Sequence, residues 1–277
     1  MSDTRIPLAA VLGHPVAHSK SPALFRHWFR EMGVRGHYIP IDVVDQDLEE
    51  VLRTMPKMGF VGTNVTIPFK EHALSIADKV SDRATLVGAA NTLSFGEDGR
   101  IYADNTDGYG FIENLKQGAP DWDPAAGPAA VLGAGGAARA IIIALLEEGV
   151  PEILLSNRTR IRAENLKTDF GAKISVVDWV NSGNMLEDAA TVVNTTSLGM
   201  IGKQEFRVPL DALSPKAVVT DIVYTPLQTK LLQDAAEIGC RTVDGLGMLL
   251  HQAVPGFDRW FGQRPEVNEK TRAAVLR

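Results

Sequence analysis

Cysteine is nearly absent from this chain of 277 residues, which contains only Cys240. A single cysteine excludes a disulfide within the chain and a zinc site built from several cysteines. The apolar neighbours of Cys240 predict a buried thiol. The sequence also lacks a paired-histidine H-E-x-x-H motif and the G-x-S-x-G nucleophile elbow. We therefore expect neither a bound metal nor a serine esterase.

Long apolar runs and an excess of positive charge are missing as well. No apolar stretch approaches the roughly 18 residues of a transmembrane helix. The first residues lack the basic start of a signal peptide, so we expect a soluble, cytoplasmic protein. The formal net charge of −6 argues against bulk attraction to nucleic acid or to an anionic membrane.

Strand and helix patterns alternate along the chain, which predicts an α/β protein. A hydrophobic content of 45% over 277 residues is enough for two packed domains. The chain ends in two helical patterns, at about 246–260 and 265–276. The second half contains predicted strands at 129–132, 152–155, 174–177, 191–194, 217–222 and 241–243.

A glycine-rich turn that begins at Gly133 connects the strand at 129–132 to a helical pattern. Gly133 permits the turn, Gly135 lets the backbone approach a pyrophosphate, and Ala138 allows close packing of helix on strand. The N-terminus of the helix then offers N–H groups to the phosphates. A plain turn of small residues is the alternative, but the second strand at 152–155 favours a dinucleotide site.

The end of this second strand lacks a carboxylate where NAD-binding folds place one, about 20 residues after the glycines. It carries Arg158, Arg160 and Arg162 instead. Because a guanidinium pairs bidentately with phosphate, we expect NADP, with its 2′-phosphate among Asn157, Arg158, Thr159 and Arg162. The alternative is a solvated basic start to the next helix.

Two polar stretches in the first half are candidates for substrate binding. Ser19 and Ser21 could both hydrogen-bond one carboxylate, although Ser21 could simply cap a helix. Asn64 and Thr66 are expected to share one face at the carboxyl end of the strand at 59–65. In open α/β sheets, that edge is where ligands bind.

Further candidates lie at three predicted helix starts. Lys70 could act on a substrate or could be a solvated residue. Asp107 follows two polar residues that could cap its helix, where a carboxylate is favourable in any case. Two glycines after Asp244 allow close approach of a ligand, and Gln252 lies on the helix that follows. His251 lies on the same helix, but a lone histidine on a helix is more often a structural residue than a functional one.

Taken in order, these stretches closely resemble the shikimate dehydrogenase family, over nearly the whole chain. Its members, in the shikimate/quinate dehydrogenase group, reduce 3-dehydroshikimate to shikimate with NADPH in aromatic amino-acid (chorismate) biosynthesis. The motifs are HSKSP (18–22), NVTIPFK (64–70), GAANT (88–92), NTDG (105–108), GAGGAAR (133–139), NRT (157–159) and DGLGMLLHQ (244–252).

The resemblance implies a fold of two α/β domains. An N-terminal mixed α/β domain at 1–105, completed by the C-terminal helices at 245–277, would bind substrate and carry catalysis. A Rossmann-type domain at 106–244 would bind NADP. The protein would be a monomer or a homodimer that acts on a small molecule, with no nucleic-acid or membrane partner.

Residue roles also follow from the resemblance. Lys70 and Asp107 would be the catalytic pair, with Lys70 either donating a proton or mainly binding substrate. Ser19 and Ser21 would bind the substrate carboxylate. The other predicted substrate residues are Asn64, Thr66, Asn91, Tyr224 and Gln252. The predicted cofactor residues are Gly133, Ala134, Gly135, Gly136, Ala137, Asn157, Arg158, Thr159, Arg162, Thr195, Ser197, Ile222, Gly245 and Met248.

Two alternatives stay open. The nearer one is a quinate/shikimate dehydrogenase with a broader choice of substrate or cofactor. The other is a non-catalytic NADP-binding sensor, which would be expected to lack the pair Lys70 and Asp107.

Overall fold

The structure, a computed structural model, describes residues 6–276 of the chain. It divides into two compact units. One holds the described residues up to Thr106 together with those from Leu250 on, and the other holds Asp107–Leu249. Among the described residues, no helix combines the length and the apolar character needed to cross a bilayer.

The first unit begins with alternating strands and helices. Pro22 occupies the first turn of the first long helix, and Gly33 ends that helix in the left-handed conformation. The elements are β1 (Leu8–Gly13), α1 (Ser21–Met32), β2 (His37–Asp42), α2 (Leu48–Thr54), β3 (Phe60–Val65), α3 (Lys70–Ile76), β4 (Lys79–Val80), α4 (Asp82–Val87), β5 (Thr92–Phe95) and β6 (Ile101–Asp104).

These six strands form one mixed sheet in the order β2-β1-β3-β5-β6-β4. β1 pairs in parallel with β2 and β3, whereas β5 pairs antiparallel with β3 and β6. The antiparallel register sets Asn64 of β3 opposite Thr92 of β5. Polar residues from distant parts of the chain thus meet where β3 ends.

The second unit is a doubly wound α/β unit. Its elements are α5 (Asp107–Gly118), β7 (Ala129–Leu132), α6 (Gly136–Glu148), β8 (Ile153–Ser156), α7 (Arg160–Phe170), β9 (Ile174–Val177), β10 (Thr191–Asn194), β11 (Val218–Asp221), α8 (Lys230–Ile238), β12 (Arg241–Val243) and α9 (Leu246–His251). All six strands are parallel, in the order β12-β11-β10-β7-β8-β9.

This order is that of a Rossmann sheet, whose switch point lies between β7 and β10. Four consecutive apolar residues make β7, and all four are buried, as expected of a central parallel strand.

The sulfur of Cys240 is also buried and donates to the carbonyl of Ser214 at 3.3 Å. The prediction of a buried thiol is therefore confirmed.

The C-terminal helices return the chain to the first unit. The division between the two units falls between Leu249 and Leu250, within α9. α10 (Val254–Phe261) and α11 (Glu269–Leu276) follow. Trp260 of α10 lies so close to β3 that a Cβ on Gly62 would stand 2.0 Å from Trp260 Nε1. Gly62 is thus required by this packing.

The prediction of a single helix over 246–260 is wrong. The structure has two helices here, α9 and α10, interrupted at residues 252 and 253. Pro255 lies in the first turn of α10. Because proline has no backbone N–H and its ring clashes with the preceding turn, it can begin α10 but cannot continue α9.

Candidate active site and cofactor site

Ser19 and Ser21 lie where β1 is connected to α1. Ser21 is buried as the first residue of the helix, and its backbone N–H donates to Ser19 Oγ at 3.3 Å. The capping position is Lys20, and no side chain caps the helix. The interpretation of Ser21 as a helix cap is therefore wrong, and its hydroxyl hydrogen-bonds to Tyr38 instead.

Asn64, at the carboxyl end of β3, has a side-chain amide that is held by three hydrogen bonds. Its Oδ1 accepts a hydrogen bond from Tyr38 Oη at 2.7 Å. Its Nδ2 lies 3.2 Å from the carbonyl of Asn91 and 3.1 Å from Thr92 Oγ1. Burial raises the pKa of Tyr38 well above its ordinary value, so the phenol keeps the proton that it donates.

Asn91 extends this buried network towards the C-terminal helices. Its Oδ1 accepts from the backbone N–H of Thr106 at 2.9 Å, and its Nδ2 donates to Gln252 Oε1 at 3.2 Å. The Thr106 hydroxyl lies 3.1 Å from Asn91 Oδ1 and 2.8 Å from the carbonyl of Gln252. Three predicted substrate residues, Asn64, Asn91 and Gln252, thus belong to one network in the first unit.

Tyr38, Thr92 and Thr106 complete the network, although our sequence analysis named none of them as a site residue. Thr106 lies within a motif and Thr92 at the end of another, so motif membership was an available signal for both. Tyr38 gave no such signal. Its place depends on the pairing of β2 with β1 and on a ring stack against Phe25, with 3.7 Å between centroids.

The two predicted catalytic residues begin helices in different units. Lys70 is the first residue of α3 and half-buried, and its carbonyl accepts from the backbone N–H of Ala90 at 2.8 Å. Thr66, four residues earlier, donates its N–H to the carbonyl of Leu12 at 2.9 Å. Asp107 begins α5 and is only 9% exposed. Asp107 is thus largely withdrawn from solvent, whereas Lys70 is only partly withdrawn.

Gly133 and Gly135, in the glycine turn of the second unit, differ in what a side chain at each position would meet. Gly133 has φ +111°, and a Cβ there would stand 2.5 Å from Thr195 Oγ1. Gly135, in contrast, has an extended backbone, and a Cβ there would meet nothing within 4 Å. Ala138 is fully buried. Gly133 is thus required by the fold, whereas the space at Gly135 is open to a ligand.

The start of α6 fits a phosphate. Gly135 occupies the capping position, and no side chain caps the helix. The backbone N–H of the neighbouring Ala134 donates to Asn157 Oδ1 at 3.2 Å, while Asn157 Nδ2 donates to the carbonyl of Thr159 at 2.8 Å. The side chain of Asn157 therefore ties the glycine turn to the segment after β8.

The three arginines after β8 differ in their partners. Arg160 forms ion pairs with Asp178 and, at 2.8 Å, with Glu164. Arg158 and Arg162 are exposed, and within residues 6–276 neither forms an ion pair with a carboxylate. These two cations are consequently accessible to an anionic ligand such as a phosphate.

A cavity of about 920 Å³ in the second unit opens beside Arg158. Its lining includes Asn157, Ser197 and Trp179, together with the cations of Lys203 and Arg207. Glu205 also lines it and lies 3.3 Å from Arg207 Nε. An aromatic ring among cations suits a phosphorylated purine nucleoside. Our sequence analysis did not name Trp179, Lys203 or Arg207 as candidates for a site.

The remaining predicted residues surround the ends of β11 and β12. A Cβ on Gly245 would stand 2.4 Å from the carbonyl oxygen of Ile222, so glycine is required there. Ile222 and Met248 are half-buried and pack against the core of this unit. Tyr224 is half-buried too, and burial raises the pKa of its hydroxyl. In the described part of the chain, no three His, Cys, Asp or Glu side chains form a metal-binding group.

The second unit is a Rossmann unit with accessible arginines, and the first unit contains a mixed sheet with buried amide side chains. A chain that combines these two units is typical of the class of two-domain dehydrogenases that use a dinucleotide. Family models narrow this class. The shikimate dehydrogenase substrate binding domain matches residues 11–93, the shikimate / quinate 5-dehydrogenase model matches 123–224, and the shikimate 5'-dehydrogenase C-terminal domain matches 245–276. The chain belongs to the shikimate dehydrogenase family.

Individual proteins agree with this assignment. A shikimate dehydrogenase (NADP(+)) of Cereibacter sphaeroides is 70% identical over 272 residues, which are 98% of each chain. The shikimate 5-dehydrogenase of Thermus thermophilus, solved with NADP(H) and shikimate, has a TM-score of 0.86 and 37% identity and covers 97% of this chain and 98% of its own. The quinate dehydrogenase of Corynebacterium glutamicum, solved with NAD, has a TM-score of 0.90 and 30% identity with the same coverage.

Proposed function

We propose that this protein is an NADP-dependent shikimate dehydrogenase that reversibly reduces 3-dehydroshikimate to shikimate in aromatic amino-acid biosynthesis. The observation that carries this proposal is the 70% identity to a shikimate dehydrogenase (NADP(+)) over 98% of both chains. The buried amide network and the accessible arginines support it from the structure.

The cofactor site fits NADP better than NAD. Gly133 and Gly135 shape a turn that admits a pyrophosphate, and the end of β8 offers arginines where an NAD site needs a carboxylate. Arg158 and Arg162 have no carboxylate partner among residues 6–276, and Thr159 is exposed beside them. When bound, NADPH would supply the hydride for the ketone carbon.

Lys70 and Asp107 would manage the charge and the proton on the substrate. Negative charge develops on the ketone oxygen during reduction, and a lysine ammonium within hydrogen-bonding reach stabilises it and donates the proton. We assign this role to Lys70. Asp107 would hold the ammonium in place and keep it charged.

The first unit would bind the substrate. Ser19 and Ser21 offer two hydroxyl groups to its carboxylate, and Thr66, Asn91 and Gln252 with Asn64 would bind its hydroxyls. Because the amides of Asn64 and Asn91 are already fixed by hydrogen bonds inside the protein, their remaining hydrogen-bonding capacity is presented without loss of side-chain entropy. Tyr224, from the second unit, would line the substrate side.

The domain roles follow from these assignments. Residues 1–105 with 245–277 would form the substrate domain, and 106–244 would form the NADP domain. We also propose a cytoplasmic location and a monomer or homodimer; light scattering of the purified protein distinguishes the two oligomeric states.

The decisive assay follows reduced nicotinamide with shikimate or quinate and with NADP or NAD. We expect the highest kcat/KM for shikimate with NADP. A preference for quinate or NAD would favour the broader quinate/shikimate enzyme, an alternative that the fold leaves open because the quinate dehydrogenase superposes equally well. Binding of NADP without turnover of either substrate would contradict the proposal.

A further inference from the structure

Asp221 is a fully buried carboxylate at the carboxyl end of β11, with 0% exposure. Its Oδ1 accepts hydrogen bonds from Asn194 Nδ2 at 2.9 Å and from the backbone N–H of Val223 at 3.0 Å. Its Oδ2 accepts from Thr229 Oγ1 at 2.7 Å. In the described chain no lysine or arginine pairs with it. A buried charge without a cation is costly and needs such donors on both oxygens.

Two of the three donors, Val223 and Thr229, lie in the loop after β11, and the third, Asn194, ends the neighbouring strand β10, which leads into a second loop. The β10 loop comprises residues 195–204, and the β11 loop comprises residues 222–229. Val223 and Thr229 stand near the two ends of the β11 loop, so their bonds to one carboxylate close that loop. Asn194 is the last residue of β10, and its bond joins the bases of both loops.

The side chain of Asn194, which binds Asp221, also forms hydrogen bonds with the β10 loop. Asn194 Oδ1 accepts from the backbone N–H of Thr196 at 3.1 Å and from its hydroxyl at 2.7 Å. At the far ends, the backbone N–H of Ile201 donates to the carbonyl of Thr225 at 3.0 Å. The two loops are thus tied both at the base, through Asp221, and near the tips.

We infer that Asp221 is a positioning residue whose carboxylate holds the β10 and β11 loops in one arrangement, and so places Ser197 and Tyr224 for catalysis. The inference rests on the proposed function, in which Tyr224 lines the substrate side, and on the prediction that Ser197 is a cofactor residue. A carboxylate suits this position because both of its oxygens accept hydrogen bonds, whereas an amide offers one acceptor and one donor.

The test compares three single variants of the full-length protein. Thr229→Val removes the hydroxyl but keeps the shape, Thr229→Ser keeps the hydroxyl, and Asp221→Asn keeps the shape but replaces one acceptor by a donor. We expect Thr229→Val and Asp221→Asn to lower kcat with shikimate about tenfold, because a small misplacement of residues beside the reacting groups lowers the rate. NADP affinity should fall less, and Thr229→Ser should stay close to the unmodified protein.

A double variant separates positioning from helix capping, because Thr229 Oγ1 also accepts from the backbone N–H of Leu232 at 3.5 Å. Asp221→Asn combined with Thr229→Val should be no worse than the worse single variant if the pair acts as a unit. Losses that multiply would assign the Thr229 effect to the cap and overturn the inference.

Kinetics are measured well below the thermal unfolding transition of each variant. Variants that unfold at lower temperature but keep the kcat and KM of the unmodified protein would show a merely structural role and overturn the inference. If Asp221→Asn does not fold, the matched Thr229 pair decides. Failure of the unmodified protein to oxidise shikimate would instead contradict the proposed function.

Discussion

Lys70 is the residue on which the proposed proton transfer depends. We expect Lys70→Ala to lower kcat roughly 10²–10⁴-fold, the usual contribution of a general acid. NADP affinity should be unchanged, because the predicted NADP residues lie in the second unit and Lys70 in the first. Steady-state kinetics and cofactor titration measure the two effects, and Lys79→Ala, at an exposed lysine of β4, is the control.

Asp107→Ala extends this prediction to the pair. Groups that act together are strongly non-additive, so the Lys70→Ala, Asp107→Ala double variant should be little worse than the worse single one. A near-normal kcat of Lys70→Ala with a much higher KM would make Lys70 a substrate-binding residue rather than the proton donor.

Arg158 and Arg160 form a matched pair for testing the choice of cofactor. Arg158→Ala should weaken NADP roughly 10- to 100-fold, since a hydrogen bond to a charged group contributes about 1.5–3 kcal/mol. Binding of NAD, which has no 2′-phosphate, should hardly change. Arg160→Ala is the control because Asp178 and Glu164 already engage that guanidinium. Equal losses for NADP and NAD at Arg158 would indicate a structural role.

At the scale of the element, the β7–turn–α6 segment combines a requirement of the fold with a requirement of the ligand. Gly133→Ala should lower the free energy of unfolding by about 1–3 kcal/mol, because a Cβ is unfavourable at this backbone conformation and would meet Thr195. Gly135→Ala should leave stability unchanged, because its Cβ would meet no protein atom within 4 Å.

NADP affinity should respond to the Gly135→Ala substitution even though stability does not. Gly135→Ala should weaken NADP because its methyl group occupies the space of the pyrophosphate, and isothermal titration beside urea unfolding measures both properties. If Gly135→Ala binds NADP like the unmodified protein, the phosphates do not approach that backbone.

At the scale of the whole molecule, two buried groups give stability opposing responses to pH. Burial, together with the charge of Arg272, lowers the pKa of His251 from 6.5 to about 4. Burial raises the pKa of Asp221 from 3.8 to about 6. His251 stays neutral in the fold while the unfolded chain takes up a proton, so its contribution to stability falls as pH drops from about 6.5 to 4. The folded protein keeps Asp221 protonated up to a higher pH than the unfolded chain does. The contribution of Asp221 to stability therefore falls as the pH rises from about 4 to about 6.

His251→Gln tests the first of these contributions. At about 1.4 kcal/mol per pKa unit, the free energy of unfolding lost between pH 7 and pH 4 should be smaller in the variant by up to about 3 kcal/mol. Urea unfolding at both pH values measures it, with His37→Gln as the control at an exposed histidine. The same acid sensitivity in His251→Gln and the unmodified protein would show that other groups cause it.

The sequence by itself determined the features that depend on neighbouring residues. The strand at 129–132, the glycine turn and the arginines after β8 were all predicted, because turn geometry, helix starts and phosphate binding use contiguous side chains and backbone groups. The two-domain α/β class, and with the family motifs the NADP-dependent activity, could be predicted as well. The individual site residues stay predictions until the variants above are measured.

Only the tertiary structure decided how distant polar groups combine. Asn91 meets Gln252 across 161 positions of sequence, and Asn64 meets Thr92 through an antiparallel register that no local pattern specifies. The same holds for Asp221, whose partners come from a second strand and from the far end of a loop. The physical reason is that burial fixes which donors and acceptors must find one another, and burial is set by the packing of the whole sheet rather than by the residues beside each group.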